Sequence, residues 1–192
     1  LAYARWLGAE AVVTVGFSMG ATVVLRQAAL AARSQRPDAV VSVSGAGFWF
    51  YRGTGPMRLL HRAVGTVTGR AVLRHGLGTH VTDQEWEQPY PLSPEESAAM
   101  VAPTPLLIVH GDQDTYFPLE HPEALAASAR AGARDRGVTD RTTLWIEPGF
   151  AHAESGIDAV LLGRLGRWIS DVVSVPDAGP LAAGPGRAGR PS

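Results

Sequence analysis

The 192 residues suffice for one domain with a buried core, and 45% apolar against 18% charged residues excludes wholesale disorder. Seventeen basic residues face eighteen acidic ones, so the net charge of −1 provides no global field for nucleic acid, while a local patch is left open. Cysteine is absent, which excludes disulfides, thiolate zinc sites and cysteine nucleophiles. No run of about 18 apolar residues occurs, so no integral membrane segment is expected. All seventeen basic residues are arginine; beside so much Ala, Gly and Pro this reads as compositional bias rather than mechanism.

Residues 1–8 (LAYARWLG) read as the end of a helix already under way, and the chain opens on Leu1 rather than Met. A processed product or a piece of a longer chain is the expectation, with any upstream targeting signal out of view. Four apolar, β-branched runs then read as buried strands: Val12–Val15, Val40–Val43, Leu106–Val109 and Thr143–Ile146. They lack clean polar alternation, which suits a parallel sheet covered on both faces. Helices are expected over 19–33, over 122–136 with Pro122 at its first position, and over 155–173. In the last of these, Ile157, Val160, Leu161, Leu165, Trp168, Ile169 and Val172 recur at spacings of three and four, one apolar stripe. Strands alternating with helices define an α/β fold, a mostly parallel sheet flanked by helices with right-handed crossovers.

The stretch 51–102 is dense in Gly and Pro and breaks that rhythm. It reads as a helical cap inserted between the second and third strands, with short helices at 57–64 and 95–101. Residues 1–50 and 103–173 then form the core, and the Pro- and Gly-rich residues 174–192 a disordered tail.

The chemistry starts at Gly16-Phe17-Ser18-Met19-Gly20, where an expected strand runs through G-x-S-x-G into an expected helix. A chain reversing that sharply needs glycines where backbone passes close, and it leaves Ser18 at a helix N-terminus whose dipole favours negative charge. The bland alternative is a tight turn with Ser18 as helix cap. A serine nucleophile needs a base, and the base needs an orienting carboxylate. His110-Gly111-Asp112-Gln113-Asp114-Thr115-Tyr116-Phe117-Pro118 follows the third strand, and Glu147-Pro148-Gly149-Phe150-Ala151-His152 follows the fourth. Carboxyl ends of parallel strands share one edge, so Ser18, an aspartate and His152 can meet there.

These three motifs, in the order Ser, Asp, His, resemble the C-terminal part of an α/β-hydrolase-fold serine hydrolase of the broad esterase, lipase and serine-aminopeptidase-like group. The resemblance covers residues 1–173. It implies Ser18 as nucleophile, His152 as general base and Asp114, the later aspartate of the loop, as the orienting acid, with Asp112 holding the turn. It implies the Met19 N–H as one oxyanion donor; the second normally comes from a loop upstream of the elbow, which these residues do not contain. The N-terminal strands of the fold are likewise missing, so the first strand is expected to present an open apolar edge.

Phe48, Trp49, Phe50 and Tyr51 follow the second strand, as the wall of an apolar substrate pocket or as rings packing the insertion onto the sheet. Trp86 and Tyr90 lie in the insertion. Arg52, Arg58 and Arg62 read as a solvated helix face or as ligands for a substrate carboxylate or phosphate. His110 is expected to pack at a strand end and His121 to sit at the surface. His61, His75 and His80 have no carboxylate at metal-ligand spacing, so no metal and no cofactor are expected. Glu154 reads as a hydrogen-bond partner of His152 or as a solvated residue at a helix start. Cleavage of a small-molecule carboxylic ester, thioester or amide through an acyl-enzyme is the expected activity. The alternative is a truncated, non-catalytic chain or an interaction module. Nothing names a compartment, with the cytoplasm as default.

Overall fold

The computed structural model describes residues 1–82 and 88–174; the expected tail from residue 175 onward, and Trp86, lie outside the described residues. The elements in chain order are α1 (Ala2–Trp6), β1 (Val13–Phe17), α2 (Met19–Leu30), β2 (Ala39–Val43), α3 (Gly55–Gly65), α4 (Val67–Leu77), α5 (Pro94–Val101), β3 (Leu106–Gly111), α6 (Glu120–Asp135), β4 (Thr142–Glu147) and α7 (Ala159–Ser174). The four strands form one parallel sheet in the order β1-β2-β3-β4. Among the described residues no helix is long and apolar enough to cross a membrane.

Period-two alternation along the strands builds two cores. Val40, Leu106 and Ile108 point to one face, where they meet Leu25 of α2, Ala98 and Val101 of α5, and Leu125, Ala126 and Ala129 of α6. Val41, Val43, Leu107 and Val109 point to the other, against Phe150 and Leu161 and Leu165 of α7. Burial on both faces explains why the central strands read as unbroken apolar runs. β2 and β3 are buried throughout, whereas β1 and β4 are partly exposed edges. Val15 of β1 is 43% exposed, the open apolar edge expected of that strand.

The strands lie within two residues of their expected positions; the helices differ more. α2 ends at Leu30, three residues short of the expected end, and a 3-10 turn follows at Arg33–Gln35. α6 begins at Glu120, so Pro122 stands third rather than first, still within the turn whose N–H groups have no helical partner. The expected helix from 155 is a 3-10 turn (Ala153–Gly156) followed by α7, whose start is capped by Asp158 accepting from the Leu161 N–H at 2.7 Å. The expected helix at 57–64 is α3, and that at 95–101 is α5, which opens on a capping box between Ser93 and Glu96. α5 lies within the stretch read as insertion but packs into the core between α2 and α6. α4 was not expected at all. Thr66 caps its start by accepting from Gly69 N–H, and Gly78 ends it at φ +64°.

Candidate active site

The carboxyl ends of β1, β3 and β4 carry the three sequence-predicted residues. Ser18 makes the whole turn from β1 to α2 in one residue, at φ 51° and ψ −117°. That conformation is costly for a side-chain-bearing residue and persists only when its surroundings impose it. One constraint is the Ser18 N–H, which donates to the Val43 carbonyl at 2.9 Å and ties the turn to the end of β2. Another is Gly16, where a Cβ would collide with the backbone of Gly20 and Ala21. The two glycines are not equivalent: a Cβ at Gly20 would meet nothing within 4 Å, which corrects the symmetrical reading of the motif.

Asp114 is held by the loop after β3. Its Oδ1 accepts from the N–H groups of Tyr116 and Phe117 at 2.8 and 3.0 Å, which leaves Oδ2 facing His152 Nδ1 at 2.7 Å. His152 Nε2 lies 2.9 Å from Ser18 Oγ. An ionised carboxylate only accepts, so Nδ1 carries the proton, and the bare Nε2 accepts from the serine hydroxyl. The Asp114 side chain is almost fully buried and that of His152 mostly so. Burial raises the Asp114 pKa, but hydrogen bonds from His152, Phe117 and Tyr116 outweigh it and hold the carboxyl below its ordinary value. The acid therefore stays ionised across the neutral range.

Asp112 accepts from the Gly149 N–H at 2.7 Å and so joins the loops after β3 and β4. Gly111 lies so close to the Phe150 carbonyl that a Cβ would collide with it. These two contacts set the distance between the aspartate loop and the histidine loop. The N–H of Met19 is the first of α2 and has no carbonyl one helical turn before it. The side chain of Glu154 lies outside the described residues.

The aromatic run divides. Phe48 and Tyr51 pack on His121, with ring centroids 5.0 and 4.2 Å away. Trp49 Nε1 donates to the Pro91 carbonyl at 3.1 Å, and Phe50 meets Tyr90 edge-on at 5.4 Å. Among the described residues the ring nearest His152 is Tyr116, at 4.6 Å, with Phe117 at 5.6 Å. His121, expected at the surface, is fully buried. The helix begins two residues before Pro122, which turns His121 into the core, where its Nδ1 accepts from the Gly47 N–H at 2.9 Å. Burial pulls its pKa from 6.5 to about 4. His110 is buried beneath Asp114; its Nε2 donates to the Phe117 carbonyl at 2.7 Å and lies 3.4 Å from Asp114 Oδ2.

Sequence reasoning missed Ser44. It follows β2 at φ 51°, fully buried, and its Oγ accepts from the N–H of Ala153 at 2.9 Å, fixing the residue next to His152. Its only sequence signal is a polar residue ending an apolar run before Gly45.

No protein-family profile matches this chain, and no curated protein matches it. Solved structures do. TT1662 from Thermus thermophilus is 21% identical, with a TM-score of 0.56 over 90% of this chain and 58% of its own. The esterase Pf2001 of Pyrococcus furiosus is 15% identical, with a TM-score of 0.52 over 84% of this chain and 52% of that one. A monoacylglycerol lipase of Paleococcus ferrophilus is 22% identical, with a TM-score of 0.52 over 90% of this chain and 72% of that one. The chain has the α/β-hydrolase fold. It spans little more than half the length of the first two of these structures.

Proposed function

We propose that this chain is the triad-bearing part of a serine hydrolase that cleaves a small carboxylic ester, with thioesters and amides as the neighbouring substrate classes. One observation carries the reading: Ser18 Oγ, His152 and Asp114 form an unbroken hydrogen-bonded line of 2.9 and 2.7 Å at the carboxyl edge of a parallel sheet. Ser18 Oγ attacks the carbonyl carbon while His152 Nε2 takes its proton. Asp114 keeps Nδ1 protonated and steadies the imidazolium that forms. The Met19 N–H, at the positive end of α2, stabilises the oxyanion. His152 returns the proton to the leaving group, and water activated by the same imidazole then cleaves the acyl-enzyme. Esters come first because their alkoxide leaves readily and because an esterase and a monoacylglycerol lipase share the fold.

Each oxyanion donor is typically worth about 10²–10³ in rate. The resemblance assigns a second donor to a loop upstream of the elbow. The test is hydrolysis of p-nitrophenyl acetate and butyrate by the chain and by Ser18→Ala and His152→Ala. Turnover lost in both variants, with unchanged circular dichroism, supports the proposal; turnover unchanged in either overturns it.

A further inference from the structure

Residues 52–82 hold five arginines and three histidines and none of the chain's 18 acidic residues. They include α3 and α4, which are joined through Thr66 and contact each other. Attachment to the rest of the molecule is narrow. Met57 is the one residue buried in the two helices, and Thr54 Oγ1 donates to the Tyr116 carbonyl at 2.9 Å. Most of the other large apolar side chains are exposed: Leu59 is 67% exposed, Val67 77%, Val72 63% and Leu77 73%, while Leu73 is half-buried. On α3, helical spacing places Leu59, Leu60, Ala63 and Val64 along one side and Arg58, His61 and Arg62 along the other. The arginines spend their donors locally, Arg58 on the carbonyls of Gly53 and Arg52 and Arg70 on that of Val64. None of the five forms an ion pair with an acid among the described residues. Asp83, Glu85 and Glu87, which follow, lie outside those residues.

Exposed leucine and valine beside unneutralised arginine is the chemistry of an element lying in a lipid interface, with apolar groups among the acyl chains and guanidinium groups on phosphates. Uniform positive charge selects an anionic surface over a neutral one. Neither helix can span a bilayer, so contact is parallel to the surface. We propose that α3 and α4 form a docking surface for an anionic phospholipid bilayer. The Thr54 bond to Tyr116, whose ring lies 4.6 Å from His152, sets the base of this surface beside the candidate active site. Docking does not depend on the reaction proposed above.

The experiment is co-sedimentation of the purified chain with vesicles of phosphatidylglycerol and phosphatidylcholine, or of phosphatidylcholine alone, at low and high salt. Binding is expected to the anionic vesicles only and to fall with salt. Each interfacial arginine is worth about five-fold in affinity, so Arg62→Gln with Arg74→Gln should weaken binding about 30-fold. Leu59→Ser with Leu77→Ser should weaken it further, and Ser18→Ala should leave it unchanged. Equal binding to neutral vesicles, no binding to either kind, or indifference to the arginine pair would overturn the proposal. So would a concentration-dependent dimer that the leucine pair abolishes, since a second copy would then cover the face. Thermal melts of the variants separate lost docking from lost folding.

Discussion

His121 gives the molecule an acid-sensitive point beneath the candidate site. In the folded chain burial holds the imidazole neutral, with a pKa lowered from 6.5 to about 4. Its Nδ1 accepts from Gly47 N–H, and the rings of Phe48, Tyr51 and Phe117 surround it. In the unfolded chain it titrates near its ordinary value. The unfolded state therefore binds the extra proton first, and stability falls as pH drops from about 6.5 towards 4. The full difference is worth about 3 kcal/mol, and about 2 kcal/mol of it is lost between pH 7 and pH 5. Burial lowers the His110 pKa as well, which adds a loss of the same sign. Asp114 acts in the same sense but at lower pH: its depressed pKa adds stability that disappears as pH falls through the folded value. The assay is urea unfolding of the chain and of His121→Gln, which keeps an acceptor for Gly47, at pH 7 and pH 5. The variant should be the less stable at pH 7 but should lose about 2 kcal/mol less on acidification. Parallel losses in the two proteins would refute the burial argument.

The two motif glycines should behave differently by thermal melt. Gly16→Ala drives a methyl into the Gly20 backbone and should cost about 1–3 kcal/mol or more, whereas Gly20→Ala, in open space on a helix, should stay within about 1 kcal/mol; equal costs would contradict the geometry. In ester turnover, Asp114→Asn should cost about 10⁴-fold by favouring the wrong imidazole tautomer, and Asp112→Asn far less; the reverse ranking would move the acid. Ser44→Ala strands the buried N–H of Ala153 and should cost about 1–3 kcal/mol in urea unfolding while slowing turnover through the His152 loop; unchanged stability would remove Ser44 from the site's support.

The sequence made the sheet legible because both faces of β2 and β3 are buried, so their apolar runs carry no competing pattern. The residues of the site were legible through motif order, since each motif directly follows a strand. What escaped was set by contacts distant in the chain. Ser44 matters only because a loop more than a hundred residues later needs an acceptor. His121 was misread because the helix starts upstream of its proline, where Glu120 rather than Pro122 takes the first position. α4 was missed because Gly69 and Gly76 read as breakers, while its start is fixed by the Thr66 cap and its end by Gly78. Tyr116 stood in a quoted motif, yet only the loop's course brings its ring over His152.

The central claim is that Ser18 is made nucleophilic by His152. A fluorophosphonate probe, followed by mass spectrometry of the modified peptide, reads that property without needing a known substrate. The account predicts one adduct, on the Ser18 hydroxyl, formed far more slowly when His152 is replaced by Ala. A chain that is folded by circular dichroism yet takes no label, or takes it on another residue, would contradict it.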